Sequence, residues 1–166
     1  MSFLPKDYAF KEAGNDYYKF ELGENKFRIL TDAVIGVEGW KDNSPFRRGG
    51  VDATIDESEV DIDQKYGKAK INNFWAFYVW SYRDEKVMIL QLNQKTIQKA
   101  LNTYASDSDW GHPQGYDVIV IKEDNGGRVS YSVKTAPPKP LPKPVQTEVD
   151  AAEPSFDIVK ALSIEM

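Results

Sequence analysis

The chain of 166 residues has no cysteine and a single histidine, His112. The first absence excludes disulfides, thiolate zinc sites and cysteine nucleophiles together. The second leaves no material for a His-rich metal site, so neither metal nor cofactor is expected. No apolar run approaches the length of a membrane span. The opening residues, MSFLPKDYAF, carry no basic segment followed by an apolar run, so a secretory signal is not expected and a soluble, non-secreted protein is. An excess of positive charge is also missing. There are 21 Lys and Arg against 26 Asp and Glu, a net charge of −5, so any anion-binding surface must be local. Motifs of catalysis are absent too: there is no Gly-x-Ser-x-Gly elbow, no phosphate loop and no His-Glu-x-x-His. His112, near Asp107 and Asp109, could be imagined as a base with its carboxylate. A lone loop histidine beside Trp110 is more often a packing or capping residue, and no enzyme is expected. The carboxylates Asp52, Asp56, Glu57, Glu59, Asp61 and Asp63 lack the spacing of a calcium loop and read as a solvated loop or edge.

What the chain does have is FWAFYVWSY, residues 74–82, with six aromatic side chains in nine positions. This stretch and VMILQLN (87–93) read as a hairpin turning at Arg83-Asp84-Glu85-Lys86. KFRILTDAVIGVEGW (26–40) alternates and reads as one long or two short strands, while KDNSPFRRGG (41–50) reads as a loop. QKTIQKALNTYAS (94–106) places Ile97, Leu101 and Tyr104 at helical spacing, with Asn93 as candidate N-cap. YDVIVIKEDNGGRVSYSVKT (116–135) is a second hairpin with its turn at residues 124–127. Five or six mostly antiparallel strands and one short helix suit a small, partly closed barrel, with a β-sandwich as the competitor. Residues 1–136 would form this domain, 137–146 a Pro-rich linker outside helix and sheet, and 147–166 an acidic, tethered C-terminal tail.

Closing the first hairpin on Arg83 and Lys86 sets Tyr82 against Val87, Trp80 against Ile89 and Tyr78 against Gln91 on one mixed face. The other face carries Trp75, Phe77 and Val79 against Met88, Leu90 and Leu92, and is the expected core. Tyr78, Trp80 and Tyr82 would then stay exposed and offer flat rings to nucleobases, unless a loop or helix covers them or Trp75 and Phe77 form the exposed face instead. Basic residues interleave with rings at Trp40, Lys41, Phe46, Arg47 and Arg48, and Lys65, Lys68 and Lys70 add a second basic cluster just ahead of residues 74–82.

FLPKDY, ENKFRIL, GVEGW…SPFR, FWAFYVWSYRDEKVMILQLNQKTIQKAL, DWGHPQGYDVIV and SYSVKTAPPKPL follow one another in this chain. In that order they resemble the single-stranded-DNA-binding proteins of tailed bacteriophages and prophages, of the small OB-fold type. The resemblance spans about residues 3–142. It implies an OB-fold, coating of single-stranded DNA in phage replication, recombination or repair, and residence in the cytoplasm of the infected bacterium. It also implies that the acidic tail recruits a polymerase, helicase or primase through Phe156, Asp157, Ile158 and Leu162, and competes for the DNA groove. The expected DNA contacts are stacking on Trp40, Phe46, Tyr78, Trp80 and Tyr82, with phosphates held by Lys41, Arg47, Arg48, Lys68 and Lys70. Two other classes would use the same rings: a protein-interaction module, and, less favoured without a secretory signal, a carbohydrate-binding module.

Overall fold

The computed structural model describes residue 3 and residues 16–166; apart from Phe3, the FLPKDY motif lies outside the described residues. The aromatic stretch belongs to the longest strand, β6 (Ile71–Ser81), and the sheet is organised around it. KFRILTDAVIGVEGW becomes β1 (Gly23–Ile29) and β2 (Val34–Lys41), which lie end to end along one edge of β6, both antiparallel to it. The gap between them is bridged by β6 itself. Leu30 N donates to Tyr78 O at 2.9 Å, and Tyr78 N donates to the Thr31 hydroxyl at 3.1 Å. The Thr31 side chain thereby supplies the acceptor that an unbroken ladder would have provided.

The other edge of β6 pairs with β7 (Lys86–Leu92), with Trp80 against Val87, Tyr78 against Ile89 and Ala76 against Gln91. This register differs by two residues from the expected one. The connecting loop holds all of residues 82–85, with Glu85 at φ +52°. A slip of two keeps every side chain on its face, so the division of the hairpin into two faces stands. One face packs Phe77, Val79, Met88, Leu90 and Leu92 against Phe27, Val118 and Val120. It is roofed by α1 (Lys95–Ala105), which buries Ile97 and Leu101. The residue at the helix N-cap is Gln94, and the Asn93 amide instead donates to Glu38.

The remaining large hairpin is β8 (Asp117–Asn125) with β9 (Arg128–Thr135), and β8 pairs with β1. Its two loop residues, Gly126 and Gly127, both have positive φ, as a tight primed turn requires. The chain is mainly β, but the barrel is not closed: β7 and β9 do not pair. The outer edge of β7 is taken by the chain at residues 16–18, where Tyr18 N donates to Ile89 O and Ile89 N to Asp16 O.

More strands are present than the expected five or six. KDNSPFRRGG is not a loop throughout. Asp42 and Asn43, at φ +51° and +62°, make a two-residue turn, and β3 (Ser44–Gly49) returns along β2. Pro45 fits because β3 has a second neighbour only at Arg47 and Arg48. Beyond it, β4 (Ile62–Asp63) and β5 (Lys68–Ala69) form a separate small hairpin.

The C-terminal segment departs furthest from expectation. Pro144 does not prevent a helix, since α2 (Lys143–Ala152) carries it in the first turn, where its missing N–H has no partner to lose. The tail is not a free peptide. α3 (Ile158–Ala161) and β10 (Ile164–Glu165) lie across the second face of β6 and β7, with β10 parallel to β3. Phe156 stacks on Tyr78 at 4.2 Å between ring centroids and 13° between planes. Ile158, Leu162 and Ile164 pack with Phe74, Ala76, Tyr78 and Ile89 into a second core. Tyr78, expected to be exposed, is therefore only 3% accessible, and Trp80, with the same expectation, is 4% accessible. Neither a loop of the body nor α1 covers this face; the C-terminal segment, expected to be a free tail, does.

Leu162→Ala tests the second core. Truncating so well buried a leucine is expected to cost about 2–5 kcal/mol in denaturant unfolding. A mobile tail would make the substitution silent.

Candidate nucleic-acid interface

At the far end of β2 the strand is clamped to the segment that carries the small hairpin. Trp40 N donates to Lys70 O, Lys70 N to Asp61 O, and Asp61 N to Trp40 O, at 2.8–3.2 Å. Four carboxylates of this acidic stretch, Asp56, Glu59, Asp61 and Asp63, brace the chain. Asp61 accepts from Asn43 N at 3.2 Å, and the backbone N–H groups of Asn43 and Asp42 hold its carboxyl below the usual carboxylate range. Asp63 accepts from Lys65 N at 2.7 Å inside a turn that Gly67 closes at φ +66°. That turn throws Tyr66 outward, 67% exposed, with the Lys65 ammonium 5.2 Å from its ring centroid.

The result is a groove of about 560 Å³ lined by Trp40 and Tyr66, by Lys68 and Lys70 with Asp63 and Asn43, and by Ile71 and Asn72. Lys41 is exposed at the end of β2, just beyond Trp40. Four of the expected DNA contacts, Trp40, Lys41, Lys68 and Lys70, thus fall at one end of the sheet. Tyr66 was not among the expected contacts. Its signal was present in QKYGKAK, an aromatic between lysines beside a turn glycine, the same interleaving that marked residues 40–48.

The other expected contacts have structural partners. Arg47 forms an ion pair with the nearly buried Glu38 at 3.0 Å and donates to Gln91 and to Leu162 O, so it fastens the tail. Arg48 makes a two-pronged pair with Glu59 at 2.8 and 2.9 Å. Its guanidinium also lies 5.4 Å from the centroid of the Phe46 ring. Phe46 in turn packs over Gly39, where any Cβ would come within 2.8 Å of the ring. Tyr82 is half-buried. It donates its hydroxyl to Asp117 at 2.6 Å and lies 4.8 Å beneath the Lys26 ammonium. Burial first, and then that hydrogen bond, push its phenol well above the usual range. Of the expected tail contacts, Ile158 and Leu162 are buried and Phe156 is half-buried against Tyr78, while Asp157 caps α3 by accepting from Lys160 N. His112 lies 3.0 Å from Asp32 rather than beside Asp107 or Asp109, and its Nδ1 caps the 113–115 turn.

No family model, curated protein or solved structure matches the chain.

The Arg48–Glu59 pair gives a pH test. Hydrogen bonds from Arg48, then one from Asp56 N, lower the Glu59 carboxyl to about 2. Because the folded value is depressed, the pair's stabilising contribution is complete above the ordinary glutamate range and fades as pH falls toward about 2. Carboxyl-carbon NMR should show Glu59 titrating near that value, and Arg48→Gln should return it toward the range of a free glutamate.

Proposed function

We propose that the protein binds single-stranded DNA without strong sequence preference, as a binding protein rather than an enzyme, in phage replication, recombination or repair. The observation that carries this reading is the groove in which Trp40 and Tyr66 stand beside Lys68 and Lys70 while Asp61 and Asp63 are occupied with backbone N–H groups. The exposed Tyr66 ring and the half-buried Trp40 ring give stacking surfaces that any unpaired base can use, and ammonium groups supply the phosphate attraction. A duplex, whose bases are already stacked on one another, cannot use those rings.

The strand order supports an OB-type barrel left open between β7 and β9. In that reading β1 and β2 are one broken first strand, paired both to β6 and, beyond the helix, to β8. The groove then falls on the long connection between the first and second strands, one of the loops that OB-folds use for oligonucleotides. The outer face of β6 and β7, which carries Tyr78 and Trp80, would extend the path only if the tail were lifted from it. A replication protein such as a polymerase, helicase or primase would meet the exposed acidic residues Glu148, Asp150 and Glu153 rather than the tail's apolar anchors. The cytoplasm of the infected bacterium follows from the same reading. Among the described residues no helix is long and apolar enough to cross a membrane.

Titration with oligo-dT tests the proposal. Trp40→Ala and Tyr66→Ala should each weaken binding roughly 5- to 150-fold, the loss of about 1–3 kcal/mol of stacking, with the melting temperature unchanged. Lys68→Gln or Lys70→Gln should reduce the slope of log affinity against log salt by about 0.7 each. Binding that ignores salt and survives both aromatic substitutions would point instead to a protein or carbohydrate ligand.

A further inference from the structure

APPKPLP, residues 136–142, opens the connection to the tail, and the DNA-binding reading gives it no task. The fold does not treat it as a slack spacer. Only Ala136, Lys139 and Leu141 in this stretch carry a backbone N–H. Two of these fasten the chain to the body: Ala136 N donates to Asp117 O and Lys139 N to Gly115 O, both at 3.0 Å. Lys139 O in turn accepts from the buried Arg28 guanidinium at 3.0 Å. The stretch belongs to neither helix nor sheet, and Pro142, with φ −53° and ψ 142°, lies in the polyproline II region.

Held in this way, the strip turns its prolines outward. Pro137, Pro138, Pro140 and Pro142 are all exposed, and Leu141 among them is half-buried. At three residues per turn, Pro137 and Pro140 share one ridge, and Lys139 and Pro142 the next. The carbonyls of Pro137, Pro138 and Pro140 accept no hydrogen bond among the described residues. A shallow niche of about 480 Å³ separates Pro138, Pro140 and Leu141 from Arg28, Gln114 and Gln146, which leaves room beside the strip for the rim of a second molecule. Lys139 and Lys143 are exposed, and neither pairs with a carboxylate among the described residues.

These features describe a ligand rather than a pocket. Pyrrolidine rings offer flat apolar faces without N–H groups, and the carbonyls between them can only accept. Tyrosine and tryptophan meet both demands, since each joins an apolar ring face to a hydrogen-bond donor. We propose that residues 137–142 are a docking strip for a partner protein whose groove is lined by such rings, with carboxylates on its rim to meet Lys139 and Lys143. A ligand already in its bound conformation pays less to be ordered, and the bonds at Ala136 and Lys139 supply that preorganisation. The strip shares no residue with the lining of the groove at Trp40 and Tyr66, so the proposal stands independently of DNA binding.

An isolated SH3 domain with an acidic rim supplies a groove of this kind, and the full chain is titrated with it. The amide signals of Lys139 and Leu141 should move, while the indole signal of Trp40, assigned with Trp40→Phe, stays in place. Pro137→Ala and Pro140→Ala should each weaken binding roughly tenfold, with the melting temperature unchanged. A free peptide of residues 134–144 should bind roughly tenfold more weakly than the chain, about the cost of fixing one residue's backbone. A peptide that binds as tightly as the chain, or binds where the chain does not, would overturn the preformed strip. No binding by the chain, or binding that survives both proline substitutions, would overturn the docking role. Binding unchanged by Lys139→Gln with Lys143→Gln would remove the acidic rim from the assignment.

Discussion

β6 is buried on both faces, and the rest of the structure follows from that. A strand whose two faces are Phe77 with Val79, and Phe74 with Tyr78 and Trp80, needs a cover on each side. The first is conventional, a helix and the β1–β8 half of the sheet. The second is the last stretch of the chain, which arrives over a proline-rich connection and seats Phe156 on Tyr78. The apolar points of the tail are thereby explained. They serve the second core of the same molecule, and the carboxylates between them remain outside.

The connection to the tail is held by a buried polar joint. Arg28 and Asp117, with side chains 3% and 1% accessible, pair at 2.9 Å across β1 and β8. The same guanidinium donates to Lys139 O and Gln114 O, so one arginine ties the barrel wall, the 113–115 turn and the linker together. Tyr82 completes the joint from the β6–β7 loop by donating to Asp117. Removing one partner from such a pair leaves an uncompensated buried charge, which is far costlier than losing an exposed ion pair. That cost accounts for an aromatic ring in a loop acting as structure rather than as a stacking platform.

Charge is arranged by a related division of labour. The acidic excess of the chain does not preclude a groove lined by lysines, because several carboxylates near it are tied into the fold. Asp61 and Asp63 brace turns, Glu59 holds Arg48, and Glu38 holds Arg47. The two arginines, which as a sequence pair look most suited to phosphate, are the neutralised ones. The lysines on and beside the small hairpin are left facing solvent. Ion pairing thus inverts the ranking that residue type alone would suggest.

Hydrophobic periodicity is a local property: period 2 determined the β6–β7 hairpin, the division of its faces, the core face and the second hairpin, and helical spacing of Ile97, Leu101 and Tyr104 determined the α1 helix. A register error of two residues could not disturb that partition, because parity survives it. β3 was hidden because Asp42 and Asn43, together with a proline and two glycines, carry the same residue signals whether they connect two strands or fill a loop. Which ring is a platform and which is core was decided only in three dimensions. Tyr78, on the mixed face of an aromatic strand, could be platform or core by residue type alone, and the tail, about eighty residues further along the chain, seats Phe156 on it. Contacts at that separation leave no periodic trace in the sequence, since the covering segment needs only a few apolar points at the right places and the tertiary fold alone brings them there.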